Sequence, residues 1–384
     1  MPDSAHNRHV AAALLVSSSF PPGAGGIESY LEGLCRRFGP AVTVLAPATR
    51  DGQALPRGLG SAVHGYAGPM VLPRRRVLRA IQVAAADSGT DRVLLGSPFP
   101  LGLIGPKLKE RGLRYGVIVH GAELLVPAAA PGLRSLLVRS LQAAELVLPV
   151  SEFTAARVRS LLDGAPPMAV LRAQVDLERF SPSIDPTAAR NRIGLRAEDR
   201  VILCLGRLVR RKGVHRLLDA LPELAARFPD VVVVVAGTGP QERRLRRRAR
   251  RLERVVFTGR VAPKDAAELH ASASVFALPV VDRWWGLDTE GLGVALLEAQ
   301  ASGVPCVTGR SGGTPEAVVH GKTGFVVDAR NRSELVQAFA YLLENREAAR
   351  TMGAAGREHV ARNFAAQPLP RLLLDWLECA PYDA

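Results

Sequence analysis

The chain has 384 residues, 47% of them hydrophobic, which is enough for two domains with cores of their own and too apolar for global disorder. A net charge of +14 admits three kinds of partner: nucleic acid, an anionic membrane surface or an anionic substrate. The four cysteines, Cys35, Cys204, Cys306 and Cys379, form no CxxC pair, no zinc-spaced cluster occurs, and no apolar run is long enough to span a bilayer, a combination that fits a cytoplasmic enzyme with reduced thiols.

Short β-rich runs alternate with helical stretches along the whole chain, the pattern of parallel sheets with crossover helices. In the first half, residues 10–17, 41–46, 92–95, 116–120 and 146–149 read as strands. The first run has the length of a signal-peptide core. It leads straight into Pro21-Pro-Gly-Ala-Gly-Gly26, however, and so reads as a strand feeding a glycine loop ahead of a helix over 27–38. Residues 171–186 have little periodicity and read as a linker. Strands then resume at 201–205, 231–236, 255–257, 275–277, 305–308 and 324–327. The fold class is α/β, two Rossmann-like doubly wound domains, and two such units facing one another would leave a cleft for a ligand. The expected division is 1–178, 179–365 and a segment 366–384 whose amphipathic helix packs back on the first domain.

The candidate chemistry falls at strand ends. Gly25 and Gly26 lie in a turn where backbone N–H groups can approach a phosphate. His120, in His120-Gly-Ala-Glu123, ends a strand and is a candidate for catalysis or sugar positioning. Gly206-Arg-Leu-Val-Arg-Arg-Lys-Gly213 places Arg207 at a strand end and Lys212 just before a helix, where both can meet one diphosphate. Asp282-Arg-Trp-Trp-Gly-Leu-Asp-Thr-Glu290 is a polar, aromatic loop whose tryptophans either stack on a sugar or anchor the loop. It leads into Glu290-Gly-Leu-Gly-Val-Ala-Leu-Leu-Glu298, two carboxylates bracketing a Gly-rich turn that opens a helix ending at Gly303. A helix N-terminus attracts an anion. Glu290 just before it and Glu298, about two turns in, can accept hydrogen bonds from hydroxyls on either side. Hydroxyls flanking a phosphate describe a nucleotide sugar, so the sequence indicates a glycosyltransferase.

Other phosphate-binding readings lose support. No GxGxxG spacing occurs, and Gly321-Lys-Thr323 lacks the P-loop glycine at position 316, which is Glu316. No D-x-D pair is present, so Arg207 and Lys212 are expected to offset leaving-group charge with no metal ligand and no cofactor beyond the donor substrate. The basic run 243–254 has no interleaved aromatics and reads as a solvated helix face, with no nucleic-acid partner expected. The run 74–79 begins a helix whose four arginines suit either solvent or peripheral contact with an anionic membrane.

These elements, in this order, resemble the retaining GT-B glycosyltransferases of family 4. The Glu290…Glu298 spacing matches the family's E-x7-E signature, and the resemblance covers nearly the whole chain. It is closest to actinobacterial GDP-mannose-dependent phosphatidylinositol monomannoside mannosyltransferases, through Phe20-Pro-Pro, Gly25-Gly-Ile-Glu-Ser-Tyr-Leu31, Arg207-Leu-Val-Arg-Arg-Lys-Gly213, Gly286-Leu-Asp-Thr-Glu-Gly-Leu-Gly293, Ser311-Gly-Gly-Thr-Pro-Glu316 and Met352-Gly-Ala-Ala-Gly-Arg357.

The resemblance implies that Arg207 and Lys212 bind the donor diphosphate beside Gly206, that Glu298 holds the ribose and that Glu290 holds donor-sugar hydroxyls. It further implies that the Leu292, Gly293 and Val294 backbone lies against sugar and phosphate. Gly25 and Gly26 would touch the diphosphate, His120 would position the sugar, and Val261 would lie near the base. The chain departs from the family at Ala122, where a second histidine is usual, at Arg172-Ala-Gln-Val-Asp176, at Ser17-Ser-Ser19 and at the two tryptophans. The implied activity is metal-independent, retaining transfer of mannose from GDP-mannose to a phosphatidylinositol-mannoside-type lipid at the cytoplasmic leaflet. The alternative is the same fold acting on a soluble acceptor, a secondary metabolite or small glycan, with GDP-mannose or another nucleotide sugar as donor. The residues carry no signal for an oligomeric state.

Overall fold

Central strands of parallel sheets are buried on both faces, and they read as unbroken apolar runs. The extreme case here is Val231–Ala236, five valines and an alanine, every one buried. In the computed structural model, which describes residues 12–21, 25–50, 53–55, 61–68, 73–365 and 367–378, such runs form two separate six-stranded sheets.

The first half contributes β1 (Ala13–Val16), β2 (Val42–Pro47), β3 (Thr49–Arg50), β4 (Gln53–Ala54), β5 (Val63–Tyr66), β6 (Arg92–Leu95), β7 (Arg114–Val119) and β8 (Leu146–Pro149). Its sheet has the order β5-β2-β1-β6-β7-β8, with every neighbour parallel. β3 and β4 form a small antiparallel pair beside it. The second half contributes β9 (Arg200–Leu205), β10 (Val231–Ala236), β11 (Val255–Gly259), β12 (Val275–Leu278), β13 (Cys306–Gly309) and β14 (Gly324–Val327). They assemble in the order β11-β10-β9-β12-β13-β14, again all parallel. These are two Rossmann-like doubly wound sheets, the GT-B fold class.

Contacts divide the chain into one unit of residues 1–23, 27–172 and 368–384 and another of 24–26 and 173–367. The helix Arg371–Glu378 thus belongs to the first unit. It buries Leu373 and Trp376, and the Trp376 indole N–H donates to the Glu145 carboxylate at 3.0 Å, just ahead of β8. The second unit's core gathers β-strand valines with the apolar faces of helices Val214–Arg227 and Arg332–Glu344.

The strands fall where the apolar runs lie. Residues 10 and 11 of the first run, Gly23 and Ala24 of the glycine loop, and Cys379 lie outside the described residues. β5 had no apolar run to mark it: as an edge strand with partly exposed side chains it reads Val-His-Gly-Tyr. The basic run 243–254 is helical only over Glu242–Ala249, and Arg254 has a left-handed φ of 60°. In the helix Arg75–Ser88 the apolar Val77 and Leu78 are buried, while Arg74, Arg75, Arg76 and Arg79 are exposed. Among the described residues, no helix is long and apolar enough to cross a membrane.

Phe339 is fully buried in the second core. Phe339→Ala should therefore destabilise that unit by about 3–5 kcal/mol, read as an earlier midpoint in urea unfolding. An unchanged midpoint would contradict this account of the core.

Candidate active site

In a doubly wound sheet the ligand crevice opens at the carboxyl ends of the strands where the winding direction reverses. In the second unit that point lies between β9 and β12, which are neighbours in the sheet though far apart in sequence. The chain leaves β9 through Gly206 and a turn at Arg210–Lys212 that ends at Gly213. Gly213 has φ +72°, and a Cβ there would stand 1.8 Å from the Pro279 carbonyl oxygen beyond β12. Only glycine permits that approach. The two loops are then stitched together by a bond from the Val281 N–H to the Arg211 carbonyl at 3.0 Å.

This packing delivers cations to Glu290. Lys212 Nζ lies 2.9 Å from Glu290 Oε2, and Arg211 Nε lies 3.4 Å from the same oxygen. Arg211 also stands 3.6 Å from Asp288, whose other oxygen pairs with Arg283 at 3.1 Å. The backbone of Glu290 is fixed from the far side by the turn after β13. Gly312 has φ +55°, with the Glu290 carbonyl oxygen 1.9 Å from where its Cβ would be, and the Gly313 N–H donates to that carbonyl at 2.9 Å. Ser311 Oγ accepts from the Glu290 N–H at 3.3 Å and donates to the Asp282 carboxylate. Glu290 is buried, and burial alone raises a carboxyl group's pKa. The Lys212 and Arg211 charges outweigh that and hold it below its ordinary value of 4.5. Glu290 is therefore an ionised acceptor at neutral pH.

Gly293, at φ +89°, precedes the helix Val294–Ala301, with Leu292 buried beside it. Because the helix begins only at Val294, Glu298 lies little more than one turn in, rather than two. Its carboxylate is 3.7 Å from His270 Nε2. His270 is fully buried between the rings of Phe180 and Phe276, at 5.7 and 5.1 Å, and neither ring nitrogen has a hydrogen-bond partner among the described residues. Arg207 follows Gly206 as an exposed side chain and enters no ion pair among the described residues. Val261 is half-buried just beyond β11. The structure thus joins Lys212 and Arg211 to Glu290, while Arg207, in the same basic run, is exposed and not paired with that carboxylate.

The corresponding point in the first unit lies between β1 and β6. The Gly96 N–H, just past β6, donates to the Val16 carbonyl at 2.8 Å, and His120 Nε2 lies 3.1 Å from the Gly96 carbonyl. A carbonyl can only accept, so Nε2 carries the proton and Nδ1 the lone pair. Burial pushes the His120 pKa below its ordinary value, against the raising effects of Glu123, the Gly96 carbonyl and Glu28, so the ring is neutral at pH 7. Its orientation is set by the edge-on ring of Tyr30 at 5.2 Å and by Glu123, whose carboxylate accepts from the His120 and Gly121 N–H groups. Gly26 opens the helix Gly26–Phe38.

Two doubly wound parallel sheets, with an ionised carboxylate and two cations at the switch point before a helix N-terminus, define a GT-B glycosyltransferase. Residues 185–359 match the family described as Glycosyl transferases group 1. The chain is 38% identical to the GDP-mannose-dependent alpha-(1-6)-phosphatidylinositol monomannoside mannosyltransferase of Mycobacterium tuberculosis, over 96% of this chain and 98% of that protein. With the GDP-mannose-dependent monoacylated alpha-(1-6)-phosphatidylinositol monomannoside mannosyltransferase of Corynebacterium glutamicum the identity is 33% over the same shares. In fold it is similar to a sucrose-phosphate synthase from Thermosynechococcus elongatus, with a TM-score of 0.77 and 22% identity over 92% of this chain and 94% of that one. The chain belongs to the group 1 glycosyl transferases, and it is an enzyme.

Two outcomes follow from the Glu290 cluster. A carboxylate with a depressed pKa contributes stability above its ordinary value of 4.5 and loses that contribution as the pH falls through the folded value. Lys212→Met removes a lowering charge, so acid unfolding should begin at a higher pH. Because breaking a buried pair costs about 3–5 kcal/mol and Arg211 remains as a partial counter-charge, the loss at neutral pH should lie toward or below the low end of that range. Gly312→Ala should destabilise the second unit in thermal unfolding, since its Cβ meets the Glu290 carbonyl in a backbone conformation that alanine resists. An unshifted acid transition in the first variant, or an unchanged melting temperature in the second, would contradict the geometry.

Proposed function

We propose that the enzyme is a metal-independent, retaining α-mannosyltransferase that moves mannose from GDP-mannose to a phosphatidylinositol-mannoside-type lipid. The observation that carries the reading is the near-full-length identity with two enzymes named for that donor and that acceptor, together with an ordered donor-side cluster around Glu290.

In this reading Lys212 and Arg211 offset the charge that develops on the departing diphosphate, which is where fixed cations lower a barrier most. Arg207, exposed after β9, is available to the outer phosphate, and Gly206, Gly25 and Gly26 offer backbone approach. The Leu292–Val294 backbone at the helix N-terminus takes a phosphate oxygen. Glu290, ionised, accepts hydrogen bonds from donor-sugar hydroxyls, Glu298 accepts from the ribose, and Val261 lies near the base. Neutral His120 offers Nδ1 as an acceptor for a sugar hydroxyl. The anomeric carbon–oxygen bond to the diphosphate breaks and the acceptor oxygen bonds to that carbon on the same face. The acceptor proton passes to the departing phosphate oxygen and GDP leaves, so no enzyme carboxylate acts as nucleophile, unlike a retaining glycosidase.

The test is transfer of radiolabel from GDP-mannose to an actinobacterial lipid extract. Label should enter the organic phase, should continue to do so in EDTA, and should give an α-linkage by NMR. Loss of transfer in EDTA would end the metal-independent reading, and a β-linkage would end the retaining one. Glu290→Gln should lower turnover by about a hundredfold or more with the circular dichroism spectrum unchanged, and full activity in that variant would refute its role.

A further inference from the structure

Residues 283–288 form a closed hairpin just ahead of Glu290. Its base is an antiparallel bridge between Arg283 and Asp288, with backbone bonds in both directions at 3.1 and 3.2 Å and the ion pair between their side chains. Asp288 also faces Arg211, so the hairpin is tied to a cation that holds Glu290. At the tip, Trp284 and Trp285 both have left-handed φ, 50° and 54°, a conformation that bulky residues seldom adopt. Neither side chain turns into the core: Trp284 is 55% exposed and Trp285 100%. The chain has only three tryptophans, and the third, Trp376, is buried. Of the two roles the sequence leaves open for the pair, anchoring the loop is excluded for Trp285 by its complete exposure.

The surroundings indicate what the tip meets. The Arg283 guanidinium lies 4.5 Å from the centre of the Trp284 ring, and Arg330 donates to the Asp282 carbonyl at 2.5 Å, at the foot of the hairpin. Indoles projecting past guanidinium groups suit an anionic lipid surface, with the rings at headgroup depth and the cations against lipid phosphates. Trp284 is backed by the Arg283 guanidinium, but Trp285, the more exposed of the two, is open on both faces and has no protein surface to back a stacked sugar. We propose that the Trp284–Trp285 hairpin is a membrane-docking tip that enters the interface of an anionic bilayer and brings the Glu290 cluster to the lipid surface. Its purpose rests on the lipid-acceptor reading, but docking itself is measured without turnover.

The experiment adds vesicles of phosphatidylcholine and phosphatidylinositol, with no mannosylated acceptor, to the full-length protein and follows tryptophan emission with shallow brominated lipids as quenchers. The emission should shift to the blue and be quenched, with buried Trp376 as constant background. Vesicle partitioning should fall roughly tenfold in Trp285→Ala, because a buried large apolar side chain is lost. Trp285→Phe should keep most of it, and GDP-mannose binding to both variants should be unchanged by calorimetry. Unshifted, unquenched emission with equal partitioning of wild type and Trp285→Ala would overturn the proposal. So would a blue shift produced by a soluble mannoside without vesicles, which would assign the tip to the acceptor sugar. Tryptophan-dependent docking without transfer to any lipid would leave this inference standing and sink the proposed function.

Discussion

A carboxylate taken out of water has to be neutralised, protonated or paired, and the second unit is built around the third solution. Glu290 stays ionised in a buried position because Lys212 and Arg211 reach it from another strand's loop. That reach depends on Gly213 lying against the carbonyl of Pro279, and therefore on β9 and β12 being neighbours. The same cluster organises its surroundings. Arg211 extends to Asp288, which closes the tryptophan hairpin with Arg283, while Ser311 joins the Glu290 backbone to Asp282. A donor diphosphate placed here would share Lys212 with Glu290, so ligand binding and local stability draw on the same cation.

Much of the fold was legible because parallel strands buried on both faces leave unbroken apolar runs that survive inspection without alignment. Val231–Ala236 needs no other signal. β5 was not legible for the opposite reason: an edge strand with partly exposed residues carries no period to read. Helix ends were the weakest reading. The apolar pattern of the main motif suggests a helix starting near Glu290, but Gly293 in a left-handed conformation delays it to Val294 and moves Glu298 to the second turn.

The site was legible as a set of residue types and less so as a set of partners. Lys212, Glu290 and Glu298 stand out through charge at strand ends and helix starts. Arg211 is in the same run as Arg207, and only the turn before Gly213 decides which guanidinium faces Glu290. His270 has no motif at all; its place beside Glu298 follows from the packing of Phe180 and Phe276 around a buried ring. Within the basic run 243–254, Arg246 pairs with Glu242, Arg248 with Asp219 and Arg254 with Asp199, while Arg244, Arg247 and Arg251 join Arg248 in lining an arginine-rich groove of about 800 Å³.

The central claim is that Lys212 serves both Glu290 and the departing diphosphate, and calorimetric titration of GDP-mannose into wild type and Lys212→Met tests it most directly. Wild type should bind, and the variant should bind at least about tenfold more weakly, as expected when one charged hydrogen-bond donor to a phosphate is lost. Equal affinity in the two proteins would contradict the account, since Lys212 would then be a structural counter-charge alone and the donor would lie elsewhere.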